Sequence, residues 1–574
     1  MNDRASDATA PATAAPPRPA VSASSAAADG SIKETIESIV IAFILAFIFR
    51  GFIVEAFVIP TGSMATTLLG AHMRFTCADC GYRFDVNYQS EGGMDVEDVN
   101  IPSHAVVREM NPRTGQFTGR AVNRVLSIHC PNCGFKLPRV DPADPANDAT
   151  GPPVRYGDRI LVLKYLYLLS DPQRWDVVVF KAPYKPEEFD YGQNYIKRLI
   201  GRPRESIFIL DGDIYVGKPG AAAEAFEVQS KPRHVQEALW RIVYDNDYHP
   251  RGLGHWTQPW QANAGETGWK TDGRRFTFDN MTAGSTLRFN PDANSQKHAL
   301  TDWLAYDVTA PQQVRRETDT FHMRPYEPHN NVSDLRLSFY YRRDAGDGPL
   351  TLVMTKLDHR FYARLTPDGA QLLMRRDDQD AVPVGDVVPL NLRPGRAAHV
   401  ELINADYQVE LRVDGNVVAR TTREQYRPDI PRLMKAAHEH QRLPRPQVQI
   451  IAEKQQATLA HVALWRDVYY LNRDEAQGGG PVRWGGPHDF PEHVIQLGAD
   501  EYFVLGDNSL LSGDARGWSQ PIALPDENLF ADDGRVPARF MIGKAFFVYW
   551  PAGYRPIDSA PALVPNFGDM RFIH

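Results

Sequence analysis

A serine able to act as a nucleophile sits in the run Ile59-Pro60-Thr61-Gly62-Ser63-Met64. A lysine able to serve it as a base sits far away, in Tyr195-Ile196-Lys197-Arg198-Leu199-Ile200. A serine hydroxyl is a weak nucleophile until a base takes its proton. No Gly-x-Ser-x-Gly elbow or other local triad signature surrounds Ser63. A lysine can act instead if its amine is neutral, which requires its pKa to fall from about 10.4 toward 8 by desolvation. At about 1.4 kcal/mol per unit, that costs about 3 kcal/mol, taken from the apolar packing around it. In a strand, Tyr195, Lys197 and Leu199 share one face, so the lysine lies between an aromatic and an aliphatic side chain. The competing reading is an ordinary surface lysine.

A third run, Tyr502 to Arg516, contains Gly506-Asp507-Asn508 and Ser512. With an apolar segment ahead of Ser63, and in this order, the runs resemble type I signal peptidases (the S26 family). These are membrane-anchored Ser/Lys proteases that cut export signals from secreted proteins. The resemblance implies a signal-peptidase-type β catalytic domain, exported preproteins as substrates and no cofactor for catalysis. It makes Ser63 the nucleophile and Lys197 the general base, with Ser512 hydrogen-bonding the lysine and orienting it. Thr61 would supply a hydroxyl to the oxyanion hole beside the Ser63 backbone N–H. Phe57, Ile59, Met64, Leu68, Tyr195 and Ile196 would wall the pockets for small side chains before the cut. Val504 and Leu505 would bury the lysine amine, and Asp514 and Arg516 would form an ion pair near Asp507 and Arg198. The chain departs from the family at Thr66, where Pro is usual, at Ser509 to Leu511, and at Ala515, where a second serine is usual.

These residues need a scaffold. At 574 residues the chain is too long for a single core. Its 63 basic and 71 acidic residues form no basic block, so nucleic acid is not an expected partner. The 44 Pro, 42 Gly and many alternating apolar runs predict a mainly β protein with numerous turns. The Ala/Pro/Ser-rich start lacks material for a core. Ser38 to Phe49 is uncharged, and the apolar character continues to Val58 around Arg50 and Glu55. That reaches the roughly 20 residues of a spanning helix if Arg50 snorkels. A cleaved signal peptide is the alternative, opposed by the long polar stretch before it and the lack of a small-x-small site after it. The family resemblance implies a single-pass protein of the bacterial cytoplasmic membrane, in contact with lipid, its catalytic domain on the extracytoplasmic side.

Two stretches exceed a minimal peptidase. One holds Cys77-Ala78-Asp79-Cys80-Gly81 and Cys130-Pro131-Asn132-Cys133-Gly134, the sequence form of a zinc ribbon. Cys77, Cys80, Cys130 and Cys133 are therefore candidate ligands of a structural zinc, with disulfides as the alternative. The other stretch carries period-2 runs such as Leu335/Leu337/Phe339 and Val409/Leu411/Val413, with Asp414-Gly415 as a hairpin signal. They predict an antiparallel, jelly-roll-like sandwich with a loose similarity to laminin-G or concanavalin-like folds. Trp240, Trp256, Trp260 and Trp269 could stack on a glycan or simply fill the core, and a protein ligand is the other option.

The expected order is a disordered cytoplasmic tail (1–32), a transmembrane helix (36–58) and the nucleophile part of the catalytic domain (59–70). A zinc-ribbon-like insertion (71–151), the general-base part (152–217), a β-sandwich insertion (218–478) and the last catalytic part (479–574) follow. Because the lysine strand and the last motif must lie side by side, the sandwich is expected to have adjacent ends and to be a removable outgrowth. Two other classes compete with a signal peptidase. A membrane-anchored glycan- or protein-binding protein on a dead scaffold has no chemical reason to keep the dyad. A self-cleaving repressor predicts a DNA-binding domain and no membrane segment.

Overall fold

The computed structural model describes residues 26–88, 128–136, 154–183, 193–294, 299–309, 330–474, 480–486, 490–518, 522–524, 529–553 and 566–574. It divides into two units, Met1–Val54 and Glu55–His574.

The first unit contains the helix Ala26–Ile48. Three consecutive alanines with high helix propensity open it, so Ala26 to Ile32 are helical although composition places them in a disordered tail. Residues 1–25 lie outside the described part. From Lys33 to Ile53 the segment is long and apolar enough to cross a membrane. Phe43, Leu45 and Phe47 are exposed on it. The helix widens into a π turn over Phe49–Ile53, and Val54–Val58 is a strand rather than the end of the expected 36–58 span. Gly51 loosens the helix there, and Val54, Phe57 and Val58 favour extended backbone.

In the second unit, an eight-stranded sheet carries the dyad. Its order is Val54–Val58, Arg159–Leu163, Met541–Trp550, Val177–Lys181, Asn194–Gly201, Glu501–Leu505 and Val536–Pro537, with Arg571–Phe572 on Met541–Trp550. Val177–Lys181 and Asn194–Gly201 pair antiparallel, with Val178 opposite Lys197 and Phe180 opposite Tyr195. On the other side of the lysine strand, Val504 lies opposite Leu199 and Leu505 opposite Arg198. The strand Ser206–Leu210 leaves this sheet for a four-stranded one containing Asp213–Gly217, Glu227–Val228 and Ile495–Gln496.

The large insertion is a β-sandwich built on the 19-residue strand Val448–Arg466. On one edge this strand pairs first with Leu350–Lys356 and then with Leu335–Gly346. On the other edge it pairs with Arg275–Phe289 and Arg241–Asp245. Lys454 and His461 have positive φ (44° and 55°), and the register shifts near both, so irregularities bend the strand. The alternating runs read from the sequence face one core: Leu335, Leu337, Phe339, Val409 and Leu411 are all buried in it. Asp414 and Gly415 both have positive φ (49° and 78°), as a two-residue hairpin requires. Trp260 is buried in the core and Trp256 and Trp269 pack against it, so these three act as packing residues.

Toward its two ends the insertion is closed by antiparallel pairing, with Arg241 opposite Arg466. It is nevertheless no detachable outgrowth. Phe208, Leu210 and Tyr215, from strands that precede it, belong to the sandwich core. Buried ions fasten the same junction. Lys356 Nζ bonds Asp213 on a preceding strand (3.0 Å) as well as Asp334 (2.6 Å), and within the insertion Lys231 Nζ bonds Asp467 (2.8 Å) and Asp406. Burial opposes the Lys356 charge, but the carboxylates around it outweigh that and hold the ammonium charged.

Removing one partner of such a buried pair costs about 3–5 kcal/mol. Lys356→Ala should lower stability by about that much, read by denaturant unfolding. Replacing residues 218–478 with a Gly/Ser linker should leave protein that shows no cooperative melt by circular dichroism. A cooperative, soluble deletion variant would restore the modular view.

Candidate active site

Ser63 lies in the short 3-10 turn Gly62–Met64, which has no side-chain cap of its own. Lys197 reaches it across the sheet, with Nζ 2.8 Å from Ser63 Oγ. Both residues are nearly sealed, with 6% and 5% of their surfaces exposed. The Tyr195 ring centroid lies 5.7 Å from the lysine nitrogen, and Val504 and Leu505 are fully buried on the neighbouring strand. Thr61 Oγ1 approaches Ser63 Oγ at 3.4 Å, which puts its hydroxyl beside the nucleophile.

The motif Gly506-Asp507-Asn508 closes the site from behind. Asn508 N–H donates to the Ser63 carbonyl (3.1 Å). A Cβ on Gly506 would overlap both the Ser63 carbonyl oxygen and Ser512 Oγ, so glycine lets two segments meet there. Ser512 is thus beside the nucleophile's backbone, and its buried hydroxyl faces the Asp514 carboxylate, which it helps to keep charged. The expected bond from Ser512 to Lys197 is not made, because the lysine nitrogen is turned to Ser63.

Two buried ion pairs fix these strands. Arg198 holds Asp507 through two bonds (2.6 and 2.7 Å) and donates a third to the Trp175 carbonyl (2.7 Å). Arg516 holds Asp514 through two bonds of 2.8 Å, and Asp514 accepts the Gly506 N–H (3.0 Å). Burial opposes each carboxylate's charge, but its arginine more than offsets this and keeps both carboxyls below the usual range.

Asp158 holds the nucleophile loop from the other side. Its Oδ2 accepts from Leu69 N–H (3.1 Å) and Arg571 (2.8 Å), while Arg571 also donates to the Thr67 carbonyl (2.8 Å). Of the expected pocket residues, Phe57, Ile59, Met64, Leu68 and Ile196 share one apolar cluster. Met64 and Leu68 are completely buried, while Phe57 and Ile196 keep partly open faces. Tyr195 packs instead toward Phe180 and Trp518.

The four cysteines also converge. Cys77 Sγ lies 3.6 Å from Cys133 Sγ, and Cys80 Sγ 3.6 Å from Cys130 Sγ, with all four buried and unbridged. Four thiolates bound tetrahedrally at about 2.3 Å would stand about 3.8 Å apart. Each knuckle closes with an N–H from its glycine to the first cysteine's carbonyl (2.9 Å), and Gly81 and Gly134 both take positive φ. The cluster fits a structural metal ion. Asp245, within an acidic run, donates its N–H to Asn132 of the second knuckle (2.6 Å), so that run docks the cysteine turns.

A family model described as signal peptidase, peptidase S26, matches residues 144–268, which include Lys197. The chain carries a signal peptidase S26 domain. Over 111 residues it is 32% identical to a probable signal peptidase I-2 of Synechocystis sp., covering 18% of this chain and 50% of that one. Over 86 residues it is 36% identical to signal peptidase I of Pseudomonas aeruginosa, covering 15% and 26%. The chain thus spans half or less of these relatives' length. Among solved structures, a laminarinase from Rhodothermus marinus matches at TM-score 0.24 and 10% identity, over 40% of this chain and 98% of that one. The sandwich is read from its own strand order, to which a likeness at that score adds nothing.

Around the S26 domain the structure adds residues that motif reading passed over. Asp158 and Arg571 carry no local signal that would mark them for this role. Tyr306, Asp307 and Arg241 come from the insertion, and no local pattern marks them. Asp307 Oδ1 accepts from Asn508 Nδ2 (2.7 Å). Burial pushes its carboxyl up to about 7, against the pull of Asn508, Arg466 and Arg241.

Because the folded Asp507 carboxyl is depressed, its pairing stabilises the protein above the unfolded value near pH 4 and is lost as pH falls through the folded value. Asp507→Asn should melt well below the parent at pH 7, and the gap should narrow below about pH 4. A melting difference that stays constant down to pH 3 would refute this account.

Proposed function

We propose that the chain is a membrane-bound serine endopeptidase that removes N-terminal signal peptides from exported preproteins. The observation that carries this reading is the sealed 2.8 Å contact between Lys197 Nζ and Ser63 Oγ. Neutral Lys197 takes the Ser63 proton as Oγ attacks the scissile carbonyl, forming the tetrahedral intermediate. The Ser63 backbone N–H and the Thr61 hydroxyl receive the oxyanion. Collapse breaks the C–N bond, and the Lys197 ammonium returns the proton to the departing amine. A water molecule, deprotonated by the again neutral lysine, then attacks the acyl carbonyl; the C–Oγ bond breaks and the Lys197 ammonium returns the proton to Ser63 Oγ. In this scheme Ser512 acts on the packing behind Ser63 rather than through a bond to Lys197. Phe57 and Ile196 offer the open surface of the small-residue pockets.

In this reading the protein is a single-pass component of the bacterial cytoplasmic membrane, with its catalytic domain on the extracytoplasmic side. The apolar helix and the S26 domain support that placement. Cys77, Cys80, Cys130 and Cys133 hold a structural zinc, which contributes to folding the knuckles and takes no part in peptide hydrolysis.

With detergent-solubilised protein and a signal-bearing preprotein, Ser63→Ala and Lys197→Ala should each lower kcat by about 10²–10⁴-fold or more. Lys197→Arg should fail as well, because a guanidinium stays charged. Substantial cleavage by any of these folded variants would remove the dyad assignment. Elemental analysis should find about one zinc per chain, lost in Cys77→Ser. Mass spectrometry showing disulfide-linked cysteines and no metal would replace zinc with a crosslinked loop.

A further inference from the structure

The nucleophile turn is poorly fixed by its own sequence. It spans three residues, has no side-chain cap and begins with a glycine. Its rigidity comes from the inserted sandwich, at three successive places. The Tyr306 ring lies flush on Gly62, where an added Cβ would come within 2.5 Å of a ring carbon. The same ring joins Ala65 and Leu69 in a small separate core, which Leu304 and Leu511 border. Asp307, the next residue, accepts from Asn508 Nδ2, and Asn508 N–H donates to the carbonyl of Ser63 itself (3.1 Å). Arg241 donates to the Ala65 carbonyl (3.3 Å). Residues 62, 63 and 65 are therefore all gripped, directly or through Asn508, from the insertion.

We infer that Tyr306 and Asp307 are positioning residues for the Ser63 nucleophile, so that the sandwich is a working part of the catalytic site. This rests on the peptidase reading above for its catalytic consequence, though not for the grip itself. The physical reason is the sensitivity of nucleophilic attack to placement: an error of about 1 Å can cost about 10²-fold in rate. Gly62 permits the close approach of the ring, but it also gives the turn more backbone freedom than any other residue would. The ring removes that freedom, and the Asp307–Asn508 pair fixes the carbonyl end of Ser63. Neither side chain touches substrate in this scheme. Their loss should therefore act on kcat and leave substrate binding nearly intact.

The test uses full-length protein in detergent and a preprotein with an alanine-rich cleavage site. Tyr306→Ala and Asp307→Ala should each lower kcat about 10- to 100-fold with KM changed less than about threefold. Tyr306→Phe keeps the ring and Asp307→Asn keeps the acceptor oxygen, so both should recover most of the activity. If Tyr306→Ala fails to fold, Tyr306→Leu keeps apolar volume without a flat ring and should show the same kcat loss. Folded alanine variants with kcat within about threefold of the parent would overturn the inference. A second readout needs no cleavage: hydrogen–deuterium exchange of the 61–66 backbone should speed up in Tyr306→Ala and not in Tyr306→Phe. Unchanged exchange in the alanine variant would overturn the grip. Faster exchange in Tyr306→Ala, with a parent protein that cleaves nothing, would uphold the grip and discard the peptidase reading instead.

Discussion

The bidentate pair between Arg198 and Asp507 is the constraint on which the rest of the site depends. Both side chains are completely buried, and they join two strands 309 residues apart in sequence. Each is the neighbour in sequence of a residue that must be placed: Lys197 on one strand, Gly506 and Asn508 on the other. Fixing the guanidinium to the carboxylate fixes the register of the strands. Register in turn aims Lys197 at Ser63 Oγ and brings Asn508 to the Ser63 carbonyl. A one-residue slip would turn the lysine to the opposite face of the sheet. Leaving either charge buried alone is so costly that the alternative registers are excluded.

How much of this was legible in the sequence depends on whether the information was local. That Ser63 and Lys197 meet was expected because their two runs resemble those of the S26 family, and the contact between them is 2.8 Å. The cysteine turns were legible because each knuckle is closed by a glycine within five residues. Strand alternation announced the sandwich core, and Asp414-Gly415 announced its hairpin. The end of the apolar helix was misplaced because composition alone does not distinguish a partly exposed apolar strand at Val54–Val58 from continued helix. The Ser512 bond was also misjudged. Position along a motif fixes which residue is near, not which way a hydroxyl or an amine turns.

What the sequence did not disclose is the union of the insertion with the catalytic sheet. Adjacent ends are a property of topology, which the order of the motifs implies. Independence is a property of the surfaces between the parts, which no local run encodes. Here those surfaces contain Phe208 and Tyr215 in a shared core, and Lys356 of the insertion paired with buried Asp213. Tyr306 illustrates the difficulty best. It is an unremarked aromatic in sequence, and it matters only because Gly62, far upstream, leaves room for it.

The clasp of Arg571 on the nucleophile loop has a kinetic consequence. The arginine bonds the Thr67 carbonyl across a sequence separation of 504 residues, and Lys197 meets Ser63 across 134. Contacts of such span demand that a large chain be ordered before they repay its entropy, which makes folding slow. The serine loop is made early in synthesis, yet its restraints arrive in stages: the lysine, then the sandwich, then the last motif and finally the arginine. A nascent chain therefore holds a nucleophile long before it holds an armed one. Completion of the Ser63–Lys197 site is a late event in the life of this molecule, reached only after its most distant segments have come together.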